Sequence, residues 1–441
     1  MEEPFIQVGI LLSQPRIDFS LMTPYWLNGN EIQPGEYSVA FAGGKILFGE
    51  ELFDEIVLEP CHVHTDSFVL KGVIIGVNFH WERKEDQRFL GGLKFIVEGN
   101  GVTAINRVSL EDYLTSVISS EMSATSSESL LKAHAVISRS WLLAQIRKNK
   151  NDGNMCAKSP SQVCTEHEII RWYDREDHAH FDVCADDHCQ RYQGITRQST
   201  ELVKKAVEET RGRVLVYEGA ICDTRFSKCC GGVTETFENV WEPVVHPYLK
   251  GKADNSDDRV VLPDLTREEE AQKWIRSSPP AFCNTQDMNV LKQVLNDYDR
   301  ETADFYRWKV VYSQGELAAI IKERSGIDYG EIVELIPMQR GTSGRIVLLK
   351  IRGTKREMII GKELEIRRTL SRSHLYSSAF VVDAEDIDES GIPRRFVLTG
   401  AGWGHGVGLC QIGAAMMAEK GYDYRQILAH YYPGSEIEIK Y

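Results

Sequence analysis

No stretch of this 441-residue chain is apolar for the roughly 18 residues a helix needs to span a bilayer. There is no long run of lysine and arginine either. With 51 basic against 65 acidic residues the net charge is −14, which disfavours nucleic acid and anionic membrane surfaces as partners. A regular cysteine framework is also missing. The ten cysteines (Cys61, Cys156, Cys164, Cys184, Cys189, Cys222, Cys229, Cys230, Cys283 and Cys410) are irregularly spaced, and a chain of this length needs no covalent staples, so most are expected as reduced thiols. The opening residues, MEEPFIQVGILLSQP, lack the basic start and long apolar stretch of a secretory leader; the run from Ile6 to Leu12 is broken by Gln7 and Gly9. On that ground the chain is expected to be cytoplasmic, or to have had a leader removed. No internal repeat is visible.

What is present suffices for a packed core, since 42% of residues are hydrophobic. The length suggests two or three domains, or one large domain with additions. Residues 1–104 read as a β-rich N-terminal region: short runs such as Gln7–Leu12, Tyr37–Ala42, Ser67–Val77 and Leu93–Val97 are separated by turn residues such as Asn28-Gly29-Asn30 and Gly43-Gly44. Helical spacing then takes over. Leu110, Tyr113, Leu114, Val117 and Ile118 predict a helix over Leu110–Ser119, with Glu111 and Asp112 in its first turn. Thr125-Ser-Ser-Glu128 matches a capping box, with Ser126 and Ser127 as competing caps, before a longer helix over Glu128–Arg147. Further along come a helix over Thr200–Thr210, strands over Val214–Tyr217 and Ile221–Phe226, and a charged, proline-containing stretch near 251–300. That stretch is read as a surface insertion with a helix over Thr266–Arg276. A hairpin follows around Gly353, and a helix Cys410–Glu419 is stopped by Gly421. The expected class is α+β, with mixed sheets and a few helices around a substrate cleft.

Four segments carry chemistry. Glu121 follows an apolar helical stripe and precedes a break. At the C-terminal end of a helix a carboxyl faces the negative end of the dipole, which favours the protonated form a general acid needs; the alternative is a helix cap or an ion pair with an arginine such as Arg139. In His180-Phe-Asp-Val-Cys184-Ala-Asp-Asp-His188-Cys189 two thiols and two imidazoles fall within ten residues. Thiolate and imidazole together suit tetrahedral zinc, and four closed ligands would make the site structural. His178 is an alternative to His180, and Asp182, Asp186 or Asp187 are candidate partners for an imidazole N–H. In Gly402-Trp-Gly-His-Gly-Val-Gly408 the glycines permit close approach, and a strand-like backbone would project Trp403 and His405 on one face, where an aromatic ring suits the C–H groups of a sugar. The segment lacks the third glycine of a dinucleotide fingerprint. Ser227-Lys-Cys229-Cys230-Gly-Gly232 makes a sharp turn and brings Ser227 near a cleft; a cysteine nucleophile there has no evident activating base.

Together these segments resemble the stage II sporulation protein D family, which includes the amidase-enhancer proteins. The likeness rests on Val108-Ser-Leu-Glu-Asp-Tyr-Leu-Thr-Ser-Val-Ile-Ser-Ser-Glu121-Met122, on Glu128-Ser-Leu-Leu-Lys132-Ala-His-Ala-Val-Ile-Ser-Arg139-Ser-Trp141, and on Gly402-Trp-Gly-His-Gly-Val-Gly-Leu-Cys-Gln411-Ile-Gly-Ala414 with Tyr431-Tyr-Pro-Gly434. Cys230-Gly231-Gly232 and Ser343-Gly344-Arg345 lie between, so the likeness spans roughly 105–441, the expected catalytic domain. It implies a lytic transglycosylase that cuts the MurNAc–GlcNAc bond of peptidoglycan strands stripped of stem peptides, with Glu121 as acid and base and 1,6-anhydro products. It also implies Arg139, Ser227, Trp403, His405 and Gln411 as substrate-binding candidates, zinc on His180, Cys184, His188 and Cys189, and a cell-envelope setting. A non-catalytic role beside a cell-wall amidase is the alternative. The family often carries Gln where this chain has His134, and Ser where it has Cys410.

Overall fold

The computed structural model describes residues 2–75, 83–123, 126–151, 161–172, 178–186, 189–196, 199–257, 261–294 and 304–441. It is a strand-rich α+β fold built from several mixed sheets. Among the described residues the helices are α1 (Leu110–Glu121), α2 (Glu128–Asn151), α3 (Glu201–Glu209), α4 (Phe237–Val240), α5 (Glu268–Arg276), α6 (Met288–Val294), α7 (Gln314–Ser325), α8 (Glu363–Thr369), α9 (Gln411–Glu419) and α10 (Tyr424–Tyr431). None is long and apolar enough to cross a membrane.

The N-terminal strands form two sheets. Phe5–Gln14, Gly101–Ser109, Gly92–Glu98 and Glu55–Pro60 are consecutive neighbours in a seven-stranded sheet, and Ser67–Ile75, Arg16–Leu21 and Gly35–Ala42 are consecutive in a six-stranded one. Alternate residues turn inward, as strand geometry requires, and Phe19 meets Phe95 with ring centroids 5.1 Å apart. Strand structure continues past residue 104 as far as Ser109. The strands do not bury a core of their own: Ile6, Val8, Phe19 and Phe95 belong to the same buried cluster as residues of α1, α2, α9 and α10. A second core lies between α7, α8 and the strands Ile332–Arg340, Ile346–Gly353 and Glu357–Gly361, the last two being the expected hairpin.

Helix α1 starts where Ser109 Oγ accepts from Asp112 N–H, and runs two residues beyond its predicted end, so Glu121 is its last residue. At the next helix Ser127 Oγ accepts from Leu130 N–H at 3.4 Å, whereas Ser126 Oγ donates to the Gln293 carbonyl at 2.6 Å. Thr125 lies outside the described residues. The predicted strand Ile221–Phe226 is instead two short pairs, Ala220–Ile221 and Phe226–Ser227. Between them Arg225 turns back to Asp223 at 2.7 Å and Thr224 Oγ1 donates to the Ile137 carbonyl at 2.6 Å, contacts that a continuous strand would break. The stretch 251–300 is not confined to the surface. Asp254, Phe282, Cys283, Val290, Leu291 and Val294 are at most 3% exposed, while the outer face of α5 exposes Glu269, Lys273 and Arg276.

Candidate active site

Glu121 sits half-buried at the C-terminal end of α1. Its Oε1 accepts from the backbone N–H of Arg191 at 3.3 Å, and among the described residues it has no ion-pair partner. Arg139 is not beside it. That side chain is fully buried and pairs with Glu111 at the other end of α1, Nε to Oε1 at 3.0 Å and Nη2 to Oε2 at 2.6 Å. The segment after Glu121 is pinned by α6: Ser123 N–H and Ser126 Oγ both donate to the Gln293 carbonyl, at 3.1 and 2.6 Å.

The thiol cluster adjoins Glu121. His178, Cys184 and Cys189 bring one ligand atom each within 4.8 Å of one another, and His178 Nε2 is 3.4 Å from Cys189 Sγ. His180 is exposed and outside this group; His188 lies outside the described residues. Val183–Cys184 is held as a short parallel strand on Phe5–Gln14, with Asp182 Oδ2 accepting from Gln7 N–H at 2.8 Å. Gly9 makes this possible, because a Cβ there would come within 2.5 Å of the Phe181 ring. From Cys189 the chain runs along α1: Tyr113 Oη is 3.3 Å from Gln190 Oε1, Arg191 N–H reaches Glu121, and Gln193 N–H donates to Ser116 Oγ at 3.3 Å. Burial, and then the neighbouring Cys189, Cys184, Tyr192 and Glu121, push the Tyr113 phenol well above its usual range, so Tyr113 remains protonated between cluster and carboxyl.

The glycine loop is not strand-like. Gly402, Gly404, Gly406 and Gly408 all have positive φ, from 71° to 91°, so the period-two alternation that would align Trp403 with His405 is absent. Trp403 stacks on Phe305 at 4.9 Å and meets Tyr376 edge-on, whereas His405 meets Trp241 at 4.7 Å and accepts from Val407 N–H at 3.0 Å. Burial, then the charges of Arg225 and Arg345, hold the His405 imidazole neutral. Ser227 is buried beside Gly404, and its hydroxyl has no hydrogen-bond partner among the described residues. Gln411 is buried and places Nε2 3.2 Å from His134 Nε2. Trp403 and His405 are thus half-exposed, and Arg139, Ser227 and Gln411 lie inside.

Two further residues shape this loop. Arg345 is fully buried, with Nε and Nη2 each 3.1 Å from the Gly404 carbonyl and Nη1 3.1 Å from that of Cys230. A Cβ on Gly406 would sit 2.4 Å from the guanidinium carbon, so the glycine is required for space as well as for φ. Glu235, also fully buried, accepts from the backbone and hydroxyls of Thr342 and Ser343 at 2.6–3.0 Å. Arg345 was legible as part of a motif; Glu235 also accepts locally from Thr236 N–H and Asn239 Nδ2, each at 2.9 Å, but its Thr342 and Ser343 partners lie over 100 residues away in sequence. A cavity of about 560 Å³ runs along α1, lined by Asp112, Thr115, Ser119, Lys204 and Arg211 among others, and Glu121 is not in its wall.

A family model described as stage II sporulation protein matches residues 98–217, which hold α1, Glu121, α2 and the thiol segment. The chain is 24% identical to stage II sporulation protein D of Bacillus subtilis over 336 residues, 76% of each protein. The likeness read from the signature segments is therefore found independently, as a stage II sporulation protein domain within the chain and as relatives of that name. It is also 28% identical to an uncharacterized protein of Brachyspira hyodysenteriae over 372 residues, 84% of this chain and 74% of that one. To the amidase enhancer of Bacillus subtilis it is 26% identical over 246 residues, 53% of this chain but only 32% of the enhancer. A model for a domain of unknown function matches 235–408, covering Glu235, α5, α6 and the whole glycine loop. Within the matched segments, Glu121 is thus an uncommitted carboxyl beside a partly buried thiol cluster, and the glycine loop stands on a buried arginine.

Proposed function

We propose that this protein acts on the bacterial cell wall as a peptidoglycan lytic transglycosylase, with Glu121 as both acid and base. The names of its relatives support a cell-wall role. The observation that carries the finer reading is the state of Glu121: half-exposed and, among the described residues, bonded only to one backbone N–H and without a cation to hold its charge. In the proposed reaction the Glu121 carboxyl protonates the oxygen leaving MurNAc. The resulting carboxylate then takes the proton from the MurNAc 6-hydroxyl, whose oxygen bonds to C1. The sugar supplies its own nucleophile, so no second carboxylate at glycosidase spacing is required.

The donor set His178, Cys184 and Cys189 suits a zinc ion, which would crosslink the loop structurally. These residues fix Cys189-Gln190-Arg191, and through Arg191 N–H the position of Glu121. Glu121→Ala is expected to abolish release of anhydro-muropeptides from denuded glycan while the fold and the zinc content persist. Cys184→Ser is expected to lose that zinc. Unaltered release by Glu121→Ala would sink the assignment. Should the wild type release nothing yet stimulate a cell-wall amidase, the likeness to the amidase enhancer would prevail.

A further inference from the structure

We propose that Cys230, Cys283, Cys410 and Asp254 form a second, structural metal site, for a single thiophilic dication of the zinc type, buried behind the glycine loop. The four side chains come from separate parts of the chain, and one ligand atom from each lies within 4.8 Å of all the others. All are at most 2% exposed. Cys230 Sγ and Cys283 Sγ are 3.5 Å apart, close to the edge of about 3.8 Å in a tetrahedron with Zn–S bonds of about 2.3 Å, and far from disulfide bonding. The set is too compact for a polynuclear cluster, whose own sulfides separate the cysteine ligands.

The ordinary reading of buried thiols is as small apolar side chains. That reading leaves Asp254 without a reason. A carboxylate in a wholly buried site calls for a cation or for a full set of donors. Asp254 Oδ1 accepts from Tyr431 Oη at 2.7 Å and Oδ2 from Cys283 N–H at 2.9 Å, while His430 Nε2 stays 3.7 Å away. Each oxygen retains a lone pair for a metal. The surroundings are shaped for the carboxylate: a Cβ on Gly413 would lie 2.8 Å from both Asp254 oxygens and 2.3 Å from Tyr431 Oη. Cys410 occupies the N-cap position of α9 without a side-chain cap bond, and its sulfur accepts from Cys230 N–H at 3.2 Å, so the backbone fixes the sulfur toward the cluster.

The position explains the purpose. Cys229 exchanges two backbone hydrogen bonds with Trp403, at 2.8 and 3.0 Å, and the Cys230 carbonyl receives Arg345. A metal at Cys230 would fasten the 251–300 stretch, through Asp254 and Cys283, to the back of the loop carrying Trp403 and His405.

The test uses the full chain carrying Cys184→Ser and Cys189→Ser, which clears the other cluster, purified with zinc present. About one zinc per chain is expected by elemental analysis, lost on adding Cys283→Ser. Asp254→Asn, which preserves shape, is expected to release zinc to a chelator at least tenfold faster. X-ray absorption at the zinc edge should show three sulfur neighbours and one lighter atom. Four sulfurs would overturn the Asp254 assignment in favour of Cys229. No zinc uptake, zinc unaffected by Cys283→Ser, or two missing thiols when the denatured, unreduced chain is titrated (a Cys230–Cys283 disulfide) would each overturn the site.

Discussion

The two ends of α1 carry glutamates with opposite fates. At the N-terminal end Glu111 is buried, meets Arg139 through two oxygens, accepts from Gly212 N–H at 3.2 Å and takes a further hydrogen bond from the Tyr441 hydroxyl. At the C-terminal end Glu121 is half-exposed and accepts one long hydrogen bond. The same residue type on the same helix serves packing at one end and is left available at the other. A polar group is a candidate for chemistry where the fold leaves it under-committed, and a saturated one such as Glu111, Arg345 or Glu235 is a joint. On this basis Arg139 and Gln411 hold the site's frame, and Arg139 is a positioning residue.

The comparison is broken most severely by Glu111→Gln. Arg139 would then keep its charge in a fully buried place with no counter-ion, and chemical unfolding should show a loss of about 3–5 kcal/mol; a loss below 1 kcal/mol would mean that the pair is not the joint described. A smaller effect is expected at His134, the buried imidazole between Ser138 and Gln411. Burial, helped by the charge of Lys228, pushes its pKa from 6.5 to about 3. Below the unfolded value the unfolded chain takes up a proton that the folded one refuses, so stability declines as pH falls from 6.5 toward 3, by about 2 kcal/mol at pH 5. His134→Gln should flatten that decline, leaving the contributions of His246, His374 and His405, whose pKa values are also lowered by burial; an unchanged slope between pH 6.5 and pH 4 would contradict the burial. The smallest effect belongs to Glu121→Gln, whose unfolding free energy should match the wild type within about 0.5 kcal/mol even as activity falls by about 10²–10⁴-fold.

Much of this contrast was legible in the sequence, and the rest could not have been. Leu110, Tyr113, Leu114, Val117 and Ile118 repeat at helical spacing and placed α1 and the break after it. Cys184 and Cys189 are near in sequence and near in space. Arg139 invited a pairing with Glu121, but its true partner depends on which face of α1 meets α2, and that packing is set in three dimensions. Cys230, Asp254, Cys283 and Cys410 converge only through folding, across a stretch whose charged composition suggested surface. The glycine loop misled because alternation of glycine with larger residues looks extended, whereas four positive φ values coil it around Arg345.

The most direct test of the central claim is mass spectrometry of the products from purified, denuded glycan strands. Fragments ending in 1,6-anhydroMurNAc are expected from the wild type and should be missing with Glu121→Gln. Fragments heavier by one water at that end would show hydrolysis by a second activating group, and would contradict the single-carboxyl chemistry assigned to Glu121.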